Sequence, residues 1–327
     1  MRYRTALRLG SPVSEVGLGT WQLGADWGSV SEESATDILR TAIDTGVTFL
    51  DTADVYGDGR SETIIGKFLQ TLPDKGHGIF VATKLGRKGY PDGYTYDTLR
   101  TWTLESMERL GREQLDLTQL HCIPMRHMQA GKVFDWLRKI KGEGLIRHFG
   151  ASVESMEEAH VCLEQEGCDS LQIIFNVFRQ KPIAELLARA REKGVAIIVR
   201  LPLASGLLAG KFSKATTFAV NDHRHYNKDG EKFNVGETFA GLPFELGVAL
   251  ADQLKPLVPR EMAMAEFAVR WILDFDAVTT VIPGASRVAQ AQSNARPSDL
   301  APLPAAMHAR LAEWYDAEVK SHIRGAY

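Results

Sequence analysis

The feature that most constrains this chain is the alternation of two hydrophobic periods along its length. Segments with helical spacing, such as the one that follows the candidate N-cap Ser31, separate short apolar runs that are mostly continuous, as in strands buried on both faces. Eight such strand–helix units predict a (β/α)8 barrel of the TIM type. The eight apolar runs are residues 16–21, 47–53, 79–86, 115–122, 148–153, 171–177, 196–203 and 278–285.

Two segments lie outside the eight predicted units. Residues 1–15 precede the first barrel strand and predict a β-hairpin across the bottom of the barrel. Residues 204–242 form a long connection after strand seven, and long loops in compact domains are usually functional or mobile. A doubly wound sheet is disfavoured because the chain has no Gly-x-Gly-x-x-Gly turn. We expect residues 1–327 to form one domain, although length alone would also allow two.

Composition narrows the function classes. The net charge of -3 and the pI near 6.3 give no general electrostatic reason to bind nucleic acid or a membrane surface. The three cysteines are odd in number and show no Cys-x-x-Cys spacing, which predicts reduced thiols. The chain has no apolar run of about 18 residues and no signal-peptide pattern. We therefore expect a cytoplasmic protein whose partner is a small molecule, and its oligomeric state, monomer or homo-oligomer, stays open.

Polar side chains collect where the predicted strands end, which is where barrel enzymes place their active sites. The stretch FLDTADVYGDGRSE puts Asp51, Asp54 and Tyr56 at the end of strand two. One such residue alone is commonly a solvated strand end or a satisfied core pair. Burying several unpaired polar groups is costly, so we expect them to meet one another or a ligand. The later strands contribute Lys84, His121, Ser152, Gln172, Asn176 and Arg200.

Four of these residues, taken together, fit one kind of chemistry, the transfer of a proton to a carbonyl oxygen. A tyrosine hydroxyl normally has a pKa of about 10, and a neighbouring ammonium lowers that pKa by favouring the phenolate. Asp51, Lys84 and Tyr56 would form a chain in which the carboxylate keeps the ammonium charged. The imidazole of His121 could then orient a substrate carbonyl. This is equipment for general acid catalysis of carbonyl reduction, with no activated nucleophile and no evident metal cage.

The same residues lie in motifs that resemble those of the aldo-keto reductases over essentially the whole chain. These motifs are VGLGTWQLG, FLDTADVYGDGRSE, VATKLG, LDLTQLHC, HFGAS, LQIIFNV, LPLASGLLAGKF and VIPGASRVAQAQSNA. The resemblance implies a (β/α)8 barrel that transfers a hydride between NAD(P)H and a carbonyl or alcohol. It also implies Tyr56 as general acid, Lys84 as the group that tunes its pKa, Asp51 as the partner of Lys84, and His121 as the substrate-orienting group. Asp54 is then expected to be structural, capping a loop backbone.

The resemblance also assigns residues to the cofactor. Small residues that let backbone amides approach phosphate, and a cation that neutralises it, are the physical basis for the phosphate contacts. Arg287 would reach the 2′-phosphate, so NADP is preferred over NAD, which remains possible. Arg200 stands where many members have a tyrosine and would stack on the nicotinamide; a cation there should weaken binding of the oxidised cofactor. The implied contacts are Ser152 and Gln172 at the carboxamide, Leu203, Ser205, Gly206, Leu207 and Lys211 at the pyrophosphate, and Gly284, Ser286, Arg287, Gln290 and Asn294 at the adenosine side.

The substrate is less constrained. Trp21 matches an aromatic pocket position of the family, and Trp27, Tyr90, Met125 and residues 223–226 are further candidates for the pocket wall, which suits a moderately apolar aldehyde or ketone. Cys122, beside His121, could suggest a thiol nucleophile, but alternation along a strand would turn its side chain away from that of His121, which predicts a packing role.

Two other functions remain open. The first is a cofactor-binding regulatory subunit on the same fold without significant turnover. The second is a metal-dependent hydrolase that uses Asp51, Asp54, His121 and His225. The hydrolase leaves Lys84 and Tyr56 unexplained, so we expect no bound metal.

Overall fold

The computed structural model describes residues 1–24 and 30–327 of the chain. Eight parallel strands form a nearly closed barrel in which each strand pairs with the next along the sequence. Parallel bridges between Val16 and Val281 and between Gly19 and Gly284 join the two ends of this sheet. The predicted (β/α)8 barrel is therefore confirmed. In chain order the strands are β1 (Tyr3–Thr5), β2 (Pro12–Ser14), β3 (Leu18–Gly19), β4 (Phe49–Asp51), β5 (Phe80–Leu85), β6 (Leu115–His121), β7 (Ile146–Ser152), β8 (Cys168–Ile174), β9 (Ala196–Arg200) and β10 (Val278–Val281).

The hairpin expected at the N-terminus is also present. Strands β1 and β2 pair antiparallel, with Tyr3 opposite Ser14. Val13 of the hairpin packs in one apolar cluster with Phe49, Phe80 and Leu117, which come from three barrel strands. The hairpin therefore closes the end of the barrel opposite the carboxyl ends of the strands.

Helices surround the barrel; α1, over Glu32–Asp44, buries one face, whereas α11, over Met264–Leu273, is buried on nearly all sides. Helix α1 shows why the sequence pattern was informative: Ser31 Oγ accepts a hydrogen bond from the Ser34 amide at 3.1 Å. The apolar residues of that helix at helical spacing are its buried residues. The helices are α1 (Glu32–Asp44), α2 (Arg60–Gln70), α3 (Tyr96–Leu110), α4 (Met125–Ala130), α5 (Lys132–Gly142), α6 (Met156–Leu163), α7 (Lys181–Glu185), α8 (Leu187–Glu192), α9 (His223–Tyr226), α10 (Phe244–Leu254), α11 (Met264–Leu273), α12 (Val288–Ala295) and α13 (Ala305–Trp314).

The long connection after β9 is folded across the mouth of the barrel. It contains short helical turns at Ala204–Ala209 and Val235–Glu237 in addition to α9. Phe218 and Phe239 of this connection and Phe244 of α10 pack with ring centroids between 4.9 and 5.7 Å apart. Aromatic packing thus anchors a segment that has little strand or helix of its own.

Two expectations from composition can be compared with the fold. The three cysteines are buried and form no disulfide. Within residues 1–24 and 30–327, every helix is too short or too polar to cross a lipid bilayer.

The close contact between β7 and β8 gives a test of the packing. A Cβ atom at Gly150 would lie 2.4 Å from the Ser170 carbonyl oxygen, which is part of the backbone and cannot yield cheaply. We predict that Gly150→Ala lowers the free energy of unfolding by about 1–3 kcal/mol, the usual cost of overpacking. Urea denaturation measures this loss.

Gly142→Ala is the matched control. Gly142 ends α5, and a Cβ there would meet nothing within 4 Å. This variant should be as stable as the wild type or slightly more so. Equal stability of the two variants would contradict the close contact.

Candidate active site

A cavity of about 390 Å³ lies at the carboxyl ends of the barrel strands. The parallel register explains its composition, because His121 pairs with Ser152, and Ser152 with Gln172, on consecutive strands. Most of the residues assigned from sequence line this cavity; Lys84, Leu207 and Asn294 lie outside its lining. The assigned residues that line it are Trp21, Asp51, Tyr56, His121, Ser152, Gln172, Arg200, Leu203, Ser205, Gly206, Lys211, Gly284, Ser286, Arg287 and Gln290.

Lys84 connects Asp51 to Tyr56 behind the cavity wall. Its Nζ donates to Asp51 Oδ1 at 2.6 Å, to the Thr52 carbonyl oxygen at 2.8 Å and to Tyr56 Oη at 3.1 Å. An ammonium has three hydrogens and no acceptor, so these contacts use all of them. The Tyr56 oxygen accepts from Lys84, and its own proton is left for a group in the cavity.

The protonation states of this pair follow from burial and charge. Burial lowers the pKa of Lys84, but the charge of Asp51 and the hydrogen bonds outweigh it and raise the pKa above its usual value. Burial raises the pKa of Tyr56, and this outweighs the lowering by Lys84. The net shift of Tyr56 is thus opposite to the lowering expected from the ammonium alone. Lys84 is therefore charged and Tyr56 protonated at neutral pH, as a proton donor must be.

His121 lies on the next strand and faces Tyr56 edge-on, with ring centroids 5.9 Å apart. Burial, and then the charges of Arg87 and Lys84, hold its pKa well below the usual range. The imidazole is therefore neutral. Its Nε2 lies 3.4 Å from Arg87 Nη1, and Nδ1 has no hydrogen-bond partner among the described residues.

Gln172 and Ser152 lie side by side in the cavity wall. Gln172 Nε2 donates to Asp51 Oδ2 at 2.7 Å, so the amide of β8 fixes the second oxygen of the same carboxylate that binds Lys84. One of the two N–H donors of the Gln172 amide is thus used within the protein. Its second N–H, its carbonyl oxygen and the Ser152 hydroxyl are the groups of this pair that can serve a ligand.

Arg200 reaches a carboxylate that the sequence analysis did not assign. Its Nη1 lies 3.5 Å from Oε1 of Glu237, which belongs to the long connection after β9. Burial opposes ionisation of Glu237, but Arg87 and Arg200 outweigh it and lower its pKa to about 2. The expected weaker binding of the oxidised cofactor depends on repulsion between Arg200 and the positively charged nicotinamide. The Glu237 carboxylate beside Arg200 reduces that repulsion. That weaker binding stays a prediction.

Cys122 is buried and lies outside the cavity lining, but its thiol contacts residues of the cavity wall. Its backbone is left-handed, with φ at 50°. Its Sγ lies 3.6 Å from Ser152 Oγ and 3.7 Å from Glu237 Oε1. Burial raises the pKa of this thiol to about 12, so it is not a thiolate nucleophile.

The other end of the cavity has small residues and cations. Ser205 and Gly206 both have positive φ, at 56° and 101°, and bend the backbone sharply beside Lys211. The Gly206 amide already donates to the Leu203 carbonyl at 2.9 Å, so it is engaged within the protein. Arg287 is exposed at the rim of the cavity, and Arg224 is a further cation in its wall.

The loop before α12 is shaped by its own side chains. Gln290 Oε1 accepts from the Ser286 amide at 2.8 Å and from the Ser286 hydroxyl at 3.0 Å. Asn294 Nδ2 donates to the Gly284 carbonyl at 3.1 Å. In this structure Gln290 and Asn294 thus hold the turn that presents Ser286 and Arg287.

The aromatic wall comes from the turn that follows β3 and from the long connection. The ring of Trp21 lies 4.8 Å from that of His223 and 6.1 Å from those of Tyr56 and Phe233. Trp27 lies outside the described residues. The cavity lining does not include Tyr90, which is 63% exposed, or Met125. Of residues 223–226, the structure places Arg224 at the cavity.

The missed residues differ in what could have revealed them. Arg87 directly follows the motif VATKLG, near the end of a strand that already carries Lys84. Gln22 is adjacent to Trp21 and also lines the cavity. Glu237 had no local signal, because it is one of several charged residues in a polar loop.

Asp54 is buried, and within the described ranges neither of its carboxylate oxygens has a hydrogen bond of normal geometry. Burial, and then the nearby Glu62, raise its pKa to about 7. Asp54 is therefore partly protonated near neutral pH. The neighbouring Val55 amide still lowers its pKa slightly, so a capping role stays a prediction.

The four groups considered for metal binding do not come together. Asp51 is bound by Lys84 and Gln172. In the part of the chain that the structure describes, the one group of three candidate ligands is Cys122, Glu154 and Glu237. Two guanidinium groups contact this trio, so its surroundings disfavour a cation. The structure thus gives no support to the hydrolase arrangement.

Comparison with known proteins places this geometry in a family. The Aldo/keto reductase family matches residues 15–316, so the chain belongs to that family. It is 27% identical over 300 residues to the aldo-keto reductase YhdN of Bacillus subtilis, covering 90% of this chain and 87% of the relative. It is also 27% identical over 320 residues to a probable voltage-gated potassium channel subunit beta of Arabidopsis thaliana, covering 93% of each.

Solved structures share the architecture over nearly the full length. A glycerol dehydrogenase of Gluconobacter oxydans is 28% identical, with a TM-score of 0.80 and coverage of 99% of this chain and 98% of that one. An aldo-keto reductase of Klebsiella pneumoniae, solved in complex with NADPH, is 21% identical with a TM-score of 0.70 and coverage of 99% of both chains. The latter similarity shows the common fold.

The buried ion pair predicts a large cost when one partner is removed. Lys84 and Asp51 have side chains that are 1% and 3% exposed. Lys84→Met should lower the free energy of unfolding by about 3–5 kcal/mol, because it leaves a carboxylate buried without its cation. Adding Asp51→Asn should restore part of that stability, and urea denaturation of the double-mutant cycle measures the coupling.

Lys67→Met is the matched control for the lysine. Lys67 pairs with Glu32 on the surface, where its side chain is 62% exposed. Its loss should change stability by less than about 1 kcal/mol. Additive effects of Lys84→Met and Asp51→Asn would show that the two groups do not interact.

The raised pKa of Asp54, about 7, predicts a stability that falls with rising pH. The folded protein holds this proton more tightly than the unfolded chain, so stability is lost as pH rises towards the folded pKa. Between pH 5 and pH 8 the wild type should lose about 2–3 kcal/mol more stability than Asp54→Asn. Urea denaturation at the two pH values measures the difference.

Asp58→Asn is the control, since that side chain is 94% exposed. Its pH dependence should match that of the wild type. An Asp54→Asn profile parallel to the wild type would rule out a buried proton at Asp54.

Proposed function

We propose that this protein is an NADPH-dependent reductase of aldehydes or ketones, with Tyr56 as the proton donor. The observation that carries this proposal is the contact of Lys84 with both Asp51 and Tyr56. That contact occupies the lone-pair side of the phenol oxygen and leaves its proton for a carbonyl oxygen in the cavity. Membership of the aldo-keto reductase family supports the same reaction class.

Each residue of the site then has a defined task. NADPH, when bound, supplies the hydride that reduces the carbonyl carbon. Tyr56 gives its proton to the oxygen as negative charge develops there, and Lys84 stabilises the resulting phenolate. Asp51 keeps Lys84 charged in a dry environment. His121, which is neutral, orients the substrate without adding a charge.

The cavity fits a dinucleotide cofactor. Its far end has two cations, Lys211 and Arg287, beside residues small enough for phosphate to approach the backbone. Ser152 and Gln172 offer polar atoms near Tyr56 for the carboxamide. The exposed guanidinium of Arg287 favours a 2′-phosphate, and hence NADPH over NADH.

A regulatory subunit that binds cofactor without significant turnover is the second candidate. The similarity to a probable potassium channel subunit beta is the observation in its favour. The two functions differ in turnover and not in cofactor binding. An assay that reports both separates them.

The decisive experiment follows oxidation of NADPH and, separately, NADH by absorbance with a panel of aldehydes. Tyr56→Phe removes the proton and keeps the ring. It should lower kcat by at least about 100-fold, the usual contribution of a positioned general acid. Binding of NADPH, followed by fluorescence titration, should be unchanged.

Tyr90→Phe is the matched control, since Tyr90 is 63% exposed and outside the cavity. It should retain the wild-type rate. Turnover that survives Tyr56→Phe would refute the role of Tyr56. Tight NADPH binding without turnover on any aldehyde would favour the regulatory subunit.

A further inference from the structure

Two guanidinium groups share one carboxylate oxygen beside the candidate proton donor. Arg87 Nη2 lies 3.4 Å and Arg200 Nη1 3.5 Å from the same atom, Glu237 Oε1. Other buried ion pairs of this protein are much shorter, such as Lys84 to Asp51 at 2.6 Å. Charge-assisted hydrogen bonds are normally about 2.7–2.9 Å long. Glu237 thus lies between the two cations without a close bond to either.

Below about pH 7 the surroundings of these groups leave an excess of positive charge. Glu154 is the second carboxyl group of the cluster, and burial together with Glu237 raises its pKa to about 7. Below that pH, Glu154 is mostly neutral, so two cations face one anion. His121 is neutral, and the charges of Lys84 and Asp51 cancel. An unbalanced cation in a partly buried site favours an incoming anion.

Arg87 is the cation that a substrate can reach. It lines the cavity, its side chain is 27% exposed, and its Nη1 lies 3.4 Å from His121 Nε2. Its guanidinium also lies over the Phe233 ring, 5.3 Å from the centroid, which limits its orientation. A carbonyl placed against Tyr56 and His121 is therefore next to Arg87. By contrast, Arg200 is 12% exposed and donates to the Val153 carbonyl at 3.1 Å.

We propose that the substrate of this site is an aldehyde or ketone that also carries a carboxylate, and that Arg87 binds that carboxylate. This inference rests on the proposed reductase function. A guanidinium presents paired donors that match a carboxylate, and the partial exposure of Arg87 leaves donors on the cavity side. Arg87 then selects the substrate, while Tyr56 and Lys84 perform the proton transfer. The competing role for Arg87 is a latch that only holds Glu237 and the long connection in place.

The test compares 4-carboxybenzaldehyde with 4-nitrobenzaldehyde, which is neutral and similar in shape. The ratio of their kcat/KM values is measured in the wild type and in Arg87→Met, so that intrinsic reactivity cancels between the two proteins. We expect this ratio to fall by about 10- to 100-fold in Arg87→Met, as for loss of one charged hydrogen bond. The ratio in Arg87→Lys should lie between those of the wild type and Arg87→Met. Arg138→Met, which alters a surface pair with Asp135, is the control and should keep the wild-type ratio.

Glu237→Gln separates substrate recognition from a latch. It removes the competing negative charge and keeps the side-chain shape, so the ratio should rise above the wild-type value if Arg87 binds the carboxylate. If Arg87 is only a latch, Arg87→Met and Glu237→Gln would both slow the reduction of the two aldehydes to a similar degree, and the ratio would stay the same. An unchanged ratio in Arg87→Met, or a reduced ratio in Glu237→Gln, overturns the proposal.

A binding measurement distinguishes failure of this inference from failure of the reductase function. Calorimetry of the NADPH-loaded protein with 4-hydroxymethylbenzoate needs no turnover, and Arg87→Met should weaken this binding about tenfold or more. Turnover of both aldehydes with an unchanged ratio leaves the reductase in place and overturns the carboxylate site. Arg87-dependent binding without any turnover supports the anion site and refutes the reductase. If the protein shows no turnover and no binding, both the carboxylate site and the reductase function are overturned.

Discussion

The buried ammonium of Lys84 is the group on which the rest of this site depends. An isolated cation at that depth would cost several kcal/mol, so it persists only with a full set of acceptors. Asp51, the Thr52 carbonyl and Tyr56 supply those acceptors at 2.6, 2.8 and 3.1 Å. The hydrogen bonds that the Lys84 ammonium donates therefore also fix the loop after β4 and the position of the Tyr56 phenol. A stability requirement and a chemical arrangement are met by the same contacts.

The barrel makes this arrangement rigid because residues from strands far apart in sequence bind the same carboxylate. Gln172 on β8 binds the second oxygen of Asp51, and the two residues are 121 positions apart in sequence. Parallel strands in a closed barrel direct their carboxyl ends into one mouth, so such partners meet without further folding. Because Asp51 is held from two sides, it cannot rotate away from Lys84 without breaking a second bond. The proposed proton donor, Tyr56, lies in the loop after β4, and its hydrogen bond to Lys84 ties it to these strand residues.

The sequence allowed prediction of features set by local pattern. The eight strands, α1 behind Ser31 and the N-terminal hairpin follow from apolar spacing and caps, which depend on residues a few positions apart. The assembly of Asp51, Tyr56 and Lys84 was also predictable, because strand ends must converge in a barrel. The strand and helix patterns are repeated along the chain, so one ambiguous segment has little effect on the prediction of a (β/α)8 barrel.

Contacts between distant segments were outside the reach of those patterns. Arg87 and Glu237 are 150 positions apart, and no spacing in the polar loop distinguishes Glu237 from its charged neighbours. The contacts of the Cys122 thiol with Ser152 and Glu237 also join segments that are far apart in sequence. The net pKa shift of Tyr56 required the balance of burial against Lys84, which is a property of the folded state. Local sequence reports neither burial nor long-range charge.

The division of labour at the barrel mouth has a physical consequence for specificity. Asp51, Lys84 and His121 lie on strands, whereas the charge beside the proposed substrate position depends on Glu237, which the long connection supplies. In a partly buried site one carboxylate can determine whether two guanidinium groups are balanced or in excess. The two sets of residues are still coupled, because, in addition to burial, Arg87 lowers the pKa of His121 and Glu237 raises that of Tyr56. Changes in the long connection can therefore alter which carbonyl compounds are attracted while the strand residues stay in place.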